Sequence, residues 1–241
     1  MTAITSDHTV GQLVAERPSR ARVFESLGID YCCGGKRTLD QACDSKGLDA
    51  VTVLRTMLAA ETESPPPDAD WTAASLTALC DHIEDTHHRY LRGELPRLGV
   101  MIDKVVTAHA DKDRRLLDLA RTFDGLVNEL SSHMMKEEQV LFPMVRELEA
   151  SDTPPSFHCG TLRNPIAVME HEHDAAGAAL ADMRALTDGY VPPAEACNTW
   201  RAMLDGLEQL EADMHRHVHK ENNILFPRAI RLEAQRQGAA A

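Results

Sequence analysis

The chain has 241 residues, enough for one large or two modest domains. Its formal charge of −13 comes without a basic face, so nucleic acid and anionic membranes are poor partners. No apolar run is long enough to cross a bilayer and no signal-like segment opens the chain, so the expected compartment is the cytoplasm.

Aromatic residues make up only 4% of the chain, and long stretches mix Leu, Ala, Glu, Arg and Asp. That composition favours helix over strand, and the expected fold class is all-α. Cys32, Cys33, Cys43, Cys80, Cys159 and Cys197 form no C-x-x-C pair, so thiols are expected rather than a disulfide framework.

Residues 1–62 read as a small helical N-terminal domain. Val10, Leu13 and Val14 begin an amphipathic helix that Pro18 interrupts; Val23, Phe24 and Leu27 continue it, and Gly28 is placed to end it. A Gly-rich loop follows, from Ile29 through Cys32-Cys33-Gly34-Gly35 to Arg37. Thr38 is the expected N-cap of the next helix, and Leu48, Val51, Leu54 and Leu58 mark one more. Residues 63–70 contain Pro65-Pro66-Pro67, a semi-rigid spacer. The N-terminal domain is therefore expected to dock on its neighbour, with the helix-one to helix-two end as one candidate surface.

Residues 71–236 read as four long helices, at about 75–109, 114–148, 166–186 and 194–233. Helices two and four carry the same pattern, His133-x-x-x-Glu137 and His217-x-x-x-Glu221, each followed by an apolar pair and Phe-Pro. The copies lie 84 residues apart (133 to 217, 137 to 221). On a helix, residues four apart share one face. Pro143 and Pro227 fall at matching points just beyond the pairs, where each should kink its helix or remove a hydrogen bond.

The repeat requires matching ligands on helices one and three. The apolar phase favours His88, in line with Leu91, Leu95 and Leu98, and His173, in line with Ile166, Met169 and Leu180. His87, flanked by Ile83 and Leu91, stays an alternative; His171 lies on a weaker face. The same phase selects His217 over His215 and His219, which are expected to face solvent or to act behind the ligands. A single histidine on an apolar face is more often a hydrogen-bonded core residue than a ligand. Four in phase, two of them with Glu one turn on, would bury too much polarity without a metal. Imidazole and carboxylate without thiolate argue against structural zinc and iron–sulfur clusters. Six ligands suit two metals, each with two His, bridged by Glu137 and Glu221, as in di-iron helix bundles; manganese stays open.

At these residues the chain resembles the hemerythrin-like proteins, and within them the RIC (repair of iron centres) di-iron family. The likeness rests on Asp30-Tyr31-Cys32-Cys33-Gly34-Gly35-Lys36, on Glu129 through Glu138 with its H-x-x-x-E, and on Glu221-Asn222-Asn223-Ile224-Leu225-Phe226-Pro227. It implies a hemerythrin-like four-helix bundle and two iron ions per chain in an oxo- and carboxylate-bridged centre. The implied ligands are His88, His133, Glu137, His173, His217 and Glu221. It further implies repair of iron–sulfur clusters damaged by nitrosative or oxidative stress, through iron release or nitric oxide removal. The implied partners are nitric oxide or oxygen species and damaged iron–sulfur proteins, with a homodimer as one option. A nitric oxide reductase and a nitric oxide or oxygen binding module are the alternative functions.

Cys32 and Cys33 are adjacent, and a trans peptide holds their Cα atoms about 3.8 Å apart, short of the usual disulfide span. A bond between them would be strained and readily reduced, which suits exchange chemistry. Lys36, Arg37 and the helix start at Thr38 are expected to favour thiolate. Packing in a tight Gly loop is the competing reading; the family likeness favours a thiol relay.

Overall fold

A computed structural model describes residues 4–63, 70–153 and 155–239; Pro65, Pro66 and Pro67 lie outside the described residues. All regular structure among the described residues is helical, apart from an isolated bridge between Thr9 and Thr38. Two compact units emerge, one of Met1–Asp81, Val145–Leu162 and His215–Ala241, the other of His82–Met144 and Arg163–Met214.

The first unit opens with four helices: α1 (Val10–Glu16), α2 (Ala21–Ser26), α3 (Leu39–Asp44) and α4 (Ala50–Glu63). α1 and α3 start in the same way. The hydroxyls of Thr9 and Thr38 accept from the amides of Gln12 and Gln41, whose side chains accept in return from the threonine amides. Gly28 ends α2 with a φ of +65°, the left-handed conformation that favours glycine after a helix. Val10, Leu13, Phe24, Leu39 and Met57 are fully buried in one cluster. α4 faces that cluster with Val53 and Met57, whereas Val51 and Leu58 are 55% and 42% exposed. The expected stripe through Val51 and Leu58 is therefore rotated, because residues 53 and 57 lie about 200° and about 240° round the helix from 51 and Met57 fills the core.

The same unit contains the start of α5 (Leu76–Ile83), most of α8 (Phe142–Ala150), the end of α10 (Asn198–Lys220), and α11 (Phe226–Ala239). Glu149 caps α5 from α8, its two oxygens accepting from the amides of Leu76 (2.7 Å) and Thr77 (2.8 Å). Glu233 of α11 accepts from the Leu162 amide at 3.0 Å and the Thr161 hydroxyl at 2.6 Å. α1 packs on the turn between α10 and α11.

The second unit is a four-helix bundle of α6 (Arg89–His109), α7 (Arg115–Lys136), α9 (Arg163–Leu186) and the first part of α10. Its inward stripes include Leu91, Leu98, Phe123, Leu126, Leu180 and Leu207, all buried. Burying each such side chain contributes about 1.5–3 kcal/mol, so the stripes dominate the unit's stability. Gly206 lets α10 close on α6, since a Cβ there would stand 2.7 Å from Leu98 Cδ2. α9 starts before Pro165, which the first turn tolerates, and α10 starts at Asn198, four residues later than expected.

Three π-turns interrupt the long helices: π1 (Glu84–His88), π2 (Glu137–Leu141) and π3 (Glu221–Leu225). The amides of Phe142 and Phe226 bond five residues back, to the carbonyls of Glu137 and Glu221. Pro143 and Pro227 come immediately afterwards. A proline has no amide to offer the residue four back and its ring crowds that carbonyl, and the wider turn accommodates both defects.

Candidate metal centre

Each π-turn places a candidate ligand: His88 ends π1, and Glu137 and Glu221 begin π2 and π3. His133 stands four residues before Glu137 in α7, and His173 lies mid-way along α9. All six sequence-predicted ligands, including His217 near the end of α10, are buried to within 3%.

In the bundle unit, Glu137 is fully buried and neither carboxylate oxygen has a hydrogen-bond partner. Imidazole nitrogens surround it, His88 Nε2 at 3.2 Å and His133 Nε2 at 3.4 Å from Oε2. The opposite nitrogens fix the tautomers. His88 Nδ1 donates to Glu138 Oε1 at 2.7 Å, and His133 Nδ1 donates to Glu172 Oε2 at 2.9 Å. In the neutral rings both Nε2 lone pairs then point inward, where they meet a carboxylate instead of a donor. His133 Nε2 also lies 3.1 Å from His173 Nε2. Inward-facing acceptors around a buried carboxylate cost several kcal/mol unless a cation joins them.

The carboxylates behind the histidines are themselves held. Arg92 Nη2 reaches both oxygens of Glu138 at 2.6 Å, and Lys136 pairs with Glu172. Burial pushes each carboxyl up, but the bonds from Arg92 and His88 to Glu138, and from Lys136 and His133 to Glu172, outweigh it and hold both below the usual range. Lys136 and Glu172 also line a surface pocket with Asn128, Glu129, Ser132 and His171. His87 turns elsewhere, its Nδ1 lying 3.0 Å from both carboxylate oxygens of Asp213.

In the first unit, His217 Nε2 lies 3.0 Å from Glu221 Oε1, with both side chains fully buried. His219, expected to face solvent or stand behind the ligands, is buried against the Cys loop: Nδ1 lies 3.4 Å from the Tyr31 carbonyl and the two rings meet edge-on at 5.4 Å. Burial pushes its imidazole down to about 4, so the ring is neutral.

Within the bundle unit, ligand-capable atoms of His133, Glu137 and His173 lie within 4.8 Å of one another, as do those of His88 and Glu137; in the first unit those of His217 and Glu221 do the same.

Cys32 and Cys33 lie in the loop between α2 and α3, Cys32 buried and Cys33 half-buried. Asp30 Oδ1 accepts from the Cys32 amide at 3.0 Å and from its thiol at 3.3 Å. The hydrogen bond to Cys33, burial and nearby Asp30 push the Cys32 thiol well above its ordinary value. The expected thiolate at Cys32 is therefore corrected, because close acceptors outweigh the more distant positive charge.

Sequence reasoning missed Glu138, Glu172, Arg92 and Asn223. The adjacent acidic pair Glu137-Glu138 was the available signal for the first; Glu172 next to His173 carries no comparable mark.

The Hemerythrin HHE cation binding domain family matches residues 80–229, and the Domain of Unknown function (DUF542) family matches residues 6–61. The chain is 40% identical over 228 residues to the iron-sulfur cluster repair protein YtfE of Musicola paradisiaca, covering 95% of this chain and 98% of that protein. It is 42% identical over 224 residues to the proteins of the same name from Edwardsiella ictaluri and Escherichia coli, covering 93% of this chain and 97% of each relative. No helix among the described residues is long and apolar enough to cross a membrane.

Proposed function

Because the chain belongs to the hemerythrin HHE cation binding family, we propose that it is a di-iron protein that repairs iron–sulfur clusters damaged by nitrosative or oxidative stress. The observation that supports a metal is Glu137, fully buried with no hydrogen bond to either oxygen and with His88 Nε2 and His133 Nε2 at 3.2 and 3.4 Å from Oε2. A buried carboxylate beside imidazole, repeated at His217 and Glu221, is what a carboxylate-bridged pair of cations needs. His88, His133, His173 and His217, with Glu137 and Glu221, would hold the two irons. Nitrogen and oxygen donors without thiolate suit iron, and iron supplies a redox-active centre with affinity for small diatomic molecules.

The surrounding residues do the rest. Glu138 and Glu172 keep His88 and His133 in the tautomer whose Nε2 lone pair faces inward. Glu137 and Glu221 are both fully buried. Cys32 and Cys33 are candidates to receive iron or nitric oxide and pass it on, and the YtfE relatives are named for cluster repair.

The decisive experiment begins with anaerobic loading of the full-length protein with ferrous iron and elemental analysis, expecting about two iron atoms per chain. One tightly bound zinc, or no uptake, would overturn the centre. The reduced loaded protein is then mixed with nitric oxide, and nitrous oxide and released iron are measured. Iron release or a single round of nitric oxide consumption fits repair. Nitrous oxide over many turnovers with a reductant would assign a nitric oxide reductase instead.

A further inference from the structure

Asn223 lies inside π3, two residues beyond Glu221, and its side chain faces the Cys32–Cys33 loop. Its Nδ2 donates to the Cys32 carbonyl at 2.9 Å and to the Tyr31 carbonyl at 3.3 Å. Two glycines make room for it: a Cβ on Gly11 or on Gly35 would run into the Asn223 amide oxygen. Gly35 in turn ties the loop to α1, its carbonyl accepting from the Gly11 amide at 2.9 Å. One turn before Asn223, His219 holds the same Tyr31 carbonyl and covers the Tyr31 ring, while its Nε2 is buried with no hydrogen-bond partner. The turn that carries Glu221 thus also carries the two side chains that hold the loop carbonyls. All of these residues belong to the first unit.

We infer that Asn223 couples Glu221 to the thiol pair, so that metal held at Glu221 keeps the Cys32–Cys33 loop closed and loss of metal lets it open. The coupling rests on the di-iron reading and adds to it a control of thiol reactivity by metal occupancy. The physical route is short. A metal on the Glu221 carboxylate fixes the first residue of π3. The Asn223 amide, one half-turn on, is then fixed against two successive carbonyls of the loop. Cys32 is only 6% exposed, so a reagent in solution reaches its sulfur through local opening of that loop. Whatever binds the closed form alone makes opening rarer. By linkage the effect is reciprocal, and a loop held open by a modified Cys32 should weaken metal binding by the same factor.

The test compares metal-free and ferrous-loaded full-length protein, kept anaerobic and exposed to iodoacetamide, with modification read cysteine by cysteine by peptide mass spectrometry. Cys32 should react about 10-fold more slowly in the loaded protein, within the usual range for coupled sites. Exposed Cys197 should react at the same rate in both forms. In Asn223→Ala the loaded and metal-free rates at Cys32 should converge while iron content stays at the wild-type level. Asn223→Asp removes both donors at nearly constant volume and should behave alike, which serves if the alanine variant fails to fold. Wild-type protein that binds iron yet shows equal Cys32 rates overturns the coupling alone. A rate ratio that survives in the folded, iron-loaded variants does the same. Wild-type protein that takes up no iron overturns the coupling together with the di-iron reading.

Discussion

His88 Nδ1 lies 2.7 Å from Glu138 Oε1, and Arg92 closes on both oxygens of that carboxylate. At the corresponding place in the second copy of the repeat, 84 residues on (138 to 222), the chain has Asn222, which carries no charge. The first copy therefore backs a candidate ligand histidine with a charge-assisted clamp that the second copy does not repeat in kind. A carboxylate on Nδ1 makes Nε2 a better donor to a metal and holds the ring in its ligating pose.

Glu138→Gln and Arg92→Met should each speed the transfer of iron to an external chelator by about 10- to 100-fold, the usual effect of such outer partners. Glu137→Ala should lose iron outright. The melting temperature of the metal-free Glu138→Gln protein should match that of the metal-free wild type, which separates positioning of His88 from support of the fold. Unchanged release kinetics in both clamp variants would remove Glu138 from the centre.

His217→Ala and His219→Ala should part company. His217 is a proposed ligand, its Nε2 3.0 Å from Glu221 Oε1, so its loss should cost at least one iron per chain by elemental analysis. His219 holds the Tyr31 carbonyl and packs on its ring, so His219→Ala should keep its iron and lose about 2 kcal/mol of stability in denaturant titration. Loss of iron in the His219 variant, with His217→Ala retaining both atoms, would reverse the assignment.

Glu149 gives a pH dependence outside the centre. Burial raises its carboxyl, but bonds from Thr77 and from the Leu76 amide outweigh this and hold it below its ordinary 4.5. A carboxyl lowered on folding contributes stability that is fully present above its unfolded value and is lost as pH falls through the folded one. Glu149→Gln should therefore cost about 1 kcal/mol at neutral pH, comparable to a lost helix cap. The gap from wild type should shrink on acidification below about pH 4.5. Equal denaturation midpoints at pH 7 would show that the cap contributes nothing.

The two candidate His–Glu pairs stand out in the sequence because an i, i+4 spacing survives any choice of helix boundary. His133 with Glu137 and His217 with Glu221 needed only the pattern. His88 and His173 needed the apolar phase, which His87 resisted until Asp213 of α10 appeared as its partner. The π-turns were not legible. Pro143 and Pro227 announce a defect, but they do not say that the turns before them widen, nor that Glu84–His88 does the same without an adjacent proline. Counting about 100° per residue sends Glu138 away from the ligands, whereas the structure brings it to His88. Asn223 was hidden for a different reason. Its role depends on Gly11 and Gly35, more than 180 residues earlier (223 − 35), and no local pattern connects them.

The thiol pair supplies the last prediction. Cys32 is buried, bonded to Asp30, and held protonated by its bond to Cys33, by burial and by the Asp30 charge. Cys33 is the more exposed of the two. If the pair relays iron or nitric oxide, Cys33 meets the incoming or outgoing group and Cys32 follows once the loop opens. Cys33→Ser should then abolish recovery of an iron–sulfur enzyme inactivated by nitric oxide, and Cys32→Ser should slow it. The double variant Cys32→Ser/Cys33→Ser should keep two iron atoms per chain and an unchanged iron absorption spectrum, because the proposed ligands are imidazoles and carboxylates. The measurement is recovered enzyme activity per iron consumed. Full recovery with the double variant, at normal iron content, would confine the chemistry to His88, His133, His173, His217 and their two bridging glutamates. Loss of iron along with recovery would instead make the thiols part of metal retention, a role their position in the loop does not predict.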